Sequence, residues 1–219
     1  MMMALFWRLF LGHLLADFPL QPNALIELKN KPAGLALHLG THLVVMLALT
    51  WPVAAVIWPG LVGLILFHGI LDQVKVHRSD RLGLSEPAAY LLDQALHLAS
   101  LALTAWAFTA ASDRVAALPL AAWSIQGAVF ILGTHFWAIT ERILTVNSPA
   151  YQAEVIEQTW PRMAARGLPL LIVIAAYPAG SLSTSASVLP YAGMQYWRRA
   201  LLTDLVVSVF GVLALLLFA

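Results

Sequence analysis

Eight ionisable side chains fall into four pairs, each spaced by four residues: His13 and Asp17, His38 and His42, His68 and Asp72, Asp93 and His97. On a helix that spacing stacks both members of a pair along one face. Two imidazoles, or an imidazole and a carboxylate, can then close on one metal ion from two directions. The eight side chains are therefore candidate metal ligands. Without cysteine, thiolate sites and Fe–S clusters are excluded, and this nitrogen and oxygen set suits zinc or iron better than magnesium. Bound to such a metal, water becomes a nucleophile at neutral pH. Asp17, Asp72 and Asp93 are the candidate bases, and Lys75, one turn beyond Asp72, can hold an anionic substrate group such as phosphate or pair with Asp72. Gln21, Gln73 and Gln94 stand where they could orient these groups.

Two other readings account for some of the same residues. His, Asp, Gln and Lys can satisfy one another as an interhelical polar network that binds no metal. His42 and His97 could instead ligate a haem or chlorin, but three aspartates are poor neighbours for an apolar macrocycle. Single residues are read more plainly. His77 is a loop residue and His135 a polar contact. Trp51, Trp58, Trp123, Trp160 and Trp197 are interface anchors. Asp204 has no assigned role.

The elements that carry the pairs repeat. His13 to His68, Asp17 to Asp72, His38 to Asp93 and His42 to His97 are each 55 positions apart. Leu35 to Leu49 likewise aligns with Tyr90 to Thr104. This pattern reads as two copies of a helical hairpin, an internal repeat of the kind common in membrane bundles.

Composition fixes the surroundings. Of the 219 residues, 61% are hydrophobic and 11% charged, against about 25% charged in soluble chains. The expected fold is an all-α polytopic membrane helix bundle with about seven transmembrane helices, the first four forming the tandem repeat. Residues 1–109 are read as the His/Asp-rich core. Residues 110–219 are read as further transmembrane helices with a polar loop at 145–167. The spans expected are Met3 to Leu20, Gly34 to Trp51, Gly60 to Val76, Ala88 to Phe108, Ala121 to Leu144, a short one from Leu168 to Ala179, and Ala200 to Ala219. Pro52 to Pro59 is read as a turn. The first span is kept as a helix rather than a cleaved signal, because Asp17, Pro19 and Gln21 stand where small cleavage-site residues would.

Lys29, Lys31, Lys75, Arg78, Arg81, Arg142, Arg162 and Arg166 fall on one side of this scheme. Arg8, Arg114, Arg198 and Arg199 fall on the other. The bias places the first side in the cytoplasm and the N-terminus outside. All four pairs then lie at one depth, in the cytoplasmic half of the bilayer. Charged groups inside a span cost a few kcal/mol each, so they are expected to face a shared interior site. A net charge of +1 gives no reason to invoke nucleic acid.

The run His13-Leu-Leu-Ala-Asp17-Phe-Pro-Leu-Gln21, with Lys31, His38-x-x-x-His42, His68-x-x-x-Asp72-x-x-Lys75 and Asp93-Gln94-x-x-His97, resembles a bacterial multipass membrane family characterised only as a domain of unknown function. The resemblance covers about residues 5–105. It implies a bacterial inner-membrane location in contact with membrane lipids, and it implies no activity. Three functional classes stay open. One is a metal-dependent hydrolase or transferase acting on an amphiphilic substrate. The second is a metal- or proton-coupled transporter. The third is a structural subunit that meets membrane-protein partners through its C-terminal helices. The outer halves of the first four helices are almost entirely apolar, which predicts a one-sided pocket open to the cytoplasm or the inner leaflet.

Overall fold

A computed structural model describes residues 2–29, 31–78, 83–176 and 198–218. Every described element is helical, and the chain divides into two compact units, 1–124 and 125–219. Arg81, Trp197 and positions 177–179 of the expected sixth span lie outside the described residues, as do the side chains of His77, Arg78, Arg198 and Arg199.

In the first unit α1 (Met2–Asp17), α3 (Pro32–Leu49), α4 (Ala54–Arg78) and α5 (Glu86–Ala111) form a four-helix ring. The ring runs α1, α3, α4, α5 and back to α1, each helix packing chiefly on two neighbours. Short α2 (Asn23–Leu28) lies against α3. Local chemistry sets the helix starts. Pro32 opens α3, where its missing N–H costs nothing. Ser85 caps α5 by accepting from the Ala88 amide, and Pro87 sits in the first turn. A second serine cap, Ser112, starts the four-residue α6 (Asp113–Ala116).

The stretch Pro52 to Pro59, read from sequence as a turn, is mostly helix. Only Trp51–Val53 form a 3₁₀ turn, and α4 continues through Pro59. Membrane helices tolerate such a proline because neighbours re-satisfy the freed backbone. Beside it, a side chain at Gly60 would run into the Phe108 ring, so the glycine lets α4 pass α5 closely.

From the layer of Met46 and Leu101 directly beside the histidines to the far end, the ring is filled by an apolar cluster that also includes Leu5, Leu9, Ile57, Leu61 and Ala105. Arg8 is buried at the far end. Its guanidinium donates to the carbonyls of Leu49 (3.0 Å) and Pro119 (3.5 Å) and lies over the Trp123 ring. It thus serves the open C-terminus of α3, where a cation is favoured.

The second unit contains most of α7 (Ala122–Ile131), a π-helical turn (Leu132–Phe136), α8 (Trp137–Leu144), α9 (Pro149–Glu157), α10 (Thr159–Ala176) and α11 (Arg198–Phe218). The expected loop at 145–167 instead holds α9 and the first half of α10. Arg162 and Arg166, counted above among cytoplasmic loop charges, are each 1% exposed. They are buried because Asp204 of α11 is. Arg162 grips Asp204 through two 2.9 Å hydrogen bonds and also donates to Glu141. Arg166 reaches Asp204 at 2.6 Å and the Gly133 carbonyl at 2.8 Å. Gly133 lies within the π-helical turn. Tyr151 donates to Glu141 at 2.8 Å, and burial together with that carboxylate pushes its phenol up to about 12.

Among the described residues, four helical stretches are long and apolar enough to cross a membrane: Pro32–Leu49, Trp51–Lys75, Glu86–Ala111 and Ala122–Leu144. At 16 residues α1 is short for a full crossing, and the apolar part of α11, Leu202–Leu217, is shorter than a typical span.

Two predictions follow from these packings. Because the chain has no cysteine, single cysteines report sidedness directly. In right-side-out vesicles a cysteine at Asp113 is expected to react with an impermeant maleimide, and one at Lys31 only after the vesicles are opened. In the second unit, Asp204→Ala leaves buried Arg166 with no carboxylate, while Arg162 keeps Glu141, and is expected to cost about 3–5 kcal/mol. Denaturant unfolding in detergent measures this, and further replacement of Arg166 by Met should recover part of the loss.

Candidate functional site

All eight residues singled out by spacing converge inside the first unit. Each helix of the ring supplies one pair: His13 and Asp17 from α1, His38 and His42 from α3, His68 and Asp72 from α4, Asp93 and His97 from α5. All are buried or nearly so, with His38 and His42 at 0% exposure. The five imidazoles form a continuous stack. His42 to His68 is 4.1 Å between ring centroids, His68 to His97 is 4.4 Å, His38 to His42 is 4.6 Å and His13 to His97 is 5.1 Å.

The carboxylates sit against this stack. Asp17 Oδ1 is 3.1 Å from His42 Nε2 and 3.2 Å from His38 Nε2, while its Oδ2 is 3.5 Å from His13 Nε2. His38 Nε2 is also 3.5 Å from Asp72 Oδ2 and 3.0 Å from His68 Nε2, so it bridges the two aspartates. Asp93 Oδ1 lies 3.4 Å from His97 Nδ1, which is fixed by the Asp93 carbonyl at 2.8 Å.

Two lysines complete the site. Lys75 Nζ pairs with Asp93 at 2.8 Å and does not meet Asp72; it lies 5.8 Å from the Tyr90 ring centroid. Asp72 is instead taken by Lys29, at 2.6 Å. Sequence reasoning treated Lys29 as a linker charge and missed it. Its signal is indirect: α2 folds so tightly on α3 that a side chain at Gly34 would collide with the Leu28 carbonyl, and Lys29 follows Leu28 immediately. Gln21 joins it. With its amide oxygen turned toward Lys29, it accepts from Lys29 Nζ (2.7 Å) and His38 Nδ1 (3.0 Å). Gln94 donates to Asp93 at 3.2 Å.

Three groups of these side chains can hold a metal ion, each with its ligand atoms within 4.8 Å of one another. They are His13, Asp17, His42 and His68; His38, His68 and Asp72; and Asp72, Asp93 and His97. A cavity of about 10 Å³ opens among His13, His42, His68 and His97, bounded by Met46, Leu64, Ile65, Ser100 and Leu101. That is room for one water molecule or a small ion. Beside α4 and α5 lies a larger, mainly apolar cavity of about 50 Å³, lined by Leu71, Val74, Leu92 and Leu96 with Lys75 and Asp93 in its wall. Outside this unit His135 contacts Thr134 at 3.2 Å and stands apart from the cluster's ligand groups.

A four-helix membrane core built around buried histidines and aspartates defines the class of this protein. The chain matches the family model described as Protein of unknown function (DUF3307) over residues 5–125, and it belongs to that family. No curated protein and no solved structure matches it.

The Lys29–Asp72 pair is open to direct test. Lys29→Met leaves a nearly buried carboxylate without its cation and is expected to destabilise the unit by about 3 kcal/mol. Lys31→Met, at an exposed position, should leave the unfolding midpoint in detergent unchanged.

Proposed function

We propose that this protein is a metal-dependent membrane enzyme of the bacterial inner membrane, hydrolysing or transferring a group on an amphiphilic substrate from the cytoplasmic side. One observation carries the reading. His42 Nδ1, His68 Nδ1 and His97 Nε2 are buried and have no hydrogen-bond partner among the described residues. A polar network evolved only to lock helices would satisfy such atoms, since each orphan costs about 1–3 kcal/mol. Unpartnered imidazole nitrogens beside carboxylates are what a divalent cation such as zinc or iron requires.

The chemistry follows from the donor set. A metal held by these histidines and aspartates would supply Lewis acidity and activate water, an aspartate would accept a proton, and Lys75 would hold the substrate's anion. The amphiphilic character of the substrate is supported by the apolar cavity beside α4 and α5. An alkyl tail among Leu71, Val74, Leu92 and Leu96 would bring its polar head to Lys75 and Asp93.

The transporter reading needs polar groups along the whole bundle. The apolar cluster from Leu5 to Ala105 at the remote end weighs against it. Seven spans remain the proposed topology, with α1, α10 and α11 added to the four long apolar stretches.

The purified protein, loaded with zinc or iron and desalted, is expected to retain metal, and His42→Ala to lose at least part of it. Metal-dependent turnover of an anionic ester in mixed micelles should vanish in Asp72→Asn. A protein that takes up no metal under any loading condition, with stability indifferent to chelator, would be a structural network instead. Metal flux into proteoliposomes that depends on Asp72 would make it a transporter.

A further inference from the structure

We propose that the bundle holds two metal ions, one on each hairpin: the first on His13, Asp17 and His42, the second on Asp72, Asp93 and His97. This rests on the metal reading above and extends it to number, ligands and division of labour. The repeat supplies the first argument for two ligands of each set: Asp17 and His42 correspond to Asp72 and His97, while the third ligand is His13 in the first hairpin and Asp93 in the second. The shift of 55 positions that relates the motifs turns α1 into α4 and α3 into α5. The ring of packing contacts is unchanged by that exchange, because α1 on α3 becomes α4 on α5, and α3 on α4 becomes α5 on α1. Each proposed ligand set comes wholly from one hairpin, and in each the ligand atoms lie within 4.8 Å of one another. His13 and His68, equivalent under the shift, face each other at 5.5 Å, and each also meets a histidine of the other hairpin. His68 is therefore within reach of the first ion as well.

Charge supplies the second argument. The one motif position at which the hairpins differ in type is His38 against Asp93. His38 packs on Asp17 beside the first set, which has that single carboxylate, already surrounded by imidazoles. The second has two, and each is paired with a lysine, Lys29 on Asp72 and Lys75 on Asp93. Two ammonium groups carry the same charge as one divalent cation. A cation on the second hairpin would release both lysines, and the Lys75 side chain is 37% exposed beside the apolar cavity. Freed, Lys75 would be available to an anionic substrate group at the cavity, and two metal ions would supply the charge suited to displacement at phosphorus. The nitrogen-richer first set should favour zinc, and the carboxylate-richer second set should accept harder ions.

Metal content per chain tests this in the intact protein. After loading with zinc and desalting, the wild type is expected to retain two ions per chain by elemental analysis. His42→Ala and Asp93→Asn should each retain one, and the combined variant none. Titration with cobalt, followed by its visible absorption, should reach saturation at two equivalents, and at one in either single variant that keeps the wild-type elution profile. One ion in the wild type, lost in both single variants, would overturn the two-ion inference and leave the metal-enzyme reading standing. No ion in the wild type would sink both.

Discussion

Burying charge away from water is the constraint on which the rest of this structure depends. A carboxylate in a helix that faces hydrocarbon costs several kcal/mol unless something nearby compensates it. Every buried aspartate of the two units has such compensation, and the compensation differs each time. Asp17 is ringed by His13, His38 and His42. Asp72 takes Lys29 from the segment between α2 and α3, and Asp93 takes Lys75 from the neighbouring helix. Asp204 takes two arginines. These pairings position the backbone: α2 must fold back on α3 to deliver Lys29, and α10 must extend to Thr159 to bring Arg162 and Arg166 inside.

The same constraint explains what could be read from the chain before its fold was known. A pair four residues apart on an apolar helix is a local signal, and all four pairs meet in one place. Partners that cross between elements carry no such signal. Lys29 looked like a charge in a polar linker, because nothing local says which aspartate it will meet. Arg162 and Arg166 have the same four-residue spacing as the histidines. They lie in a stretch as polar as a loop, and arginines at that spacing do not say which carboxylate they will meet. Pro52 and Pro59 misled in another way. Proline is a reliable stop in water, but a helix packed against its neighbours can run through it, with Gly60 making the room.

The two ends of the ring also divide the work of folding and chemistry. At one end leucines, an alanine and Met46 interlock as any soluble core would, and the single guanidinium there is spent on backbone carbonyls. At the other, side chains costly to bury are held in place by their mutual pairings and by the helices that carry them. Such a separation lets the polar end keep atoms unsatisfied, because the apolar end supplies the stability they forgo.

The apolar end has an electrical meaning as well. If the bundle stands in the membrane as proposed, the transmembrane voltage drops mainly across the stretch that water and ions do not penetrate, here the layer from Leu5 to Ala105. The His/Asp cluster then sits close to the potential of the compartment it opens to. A cation reaching it from that side does almost no work against the field, where a full crossing would involve about 2.3 kcal/mol per charge for each 100 mV. Occupancy of the cluster is thereby uncoupled from the energised state of the cell, and the same cation would be held in a respiring membrane and in a depolarised one.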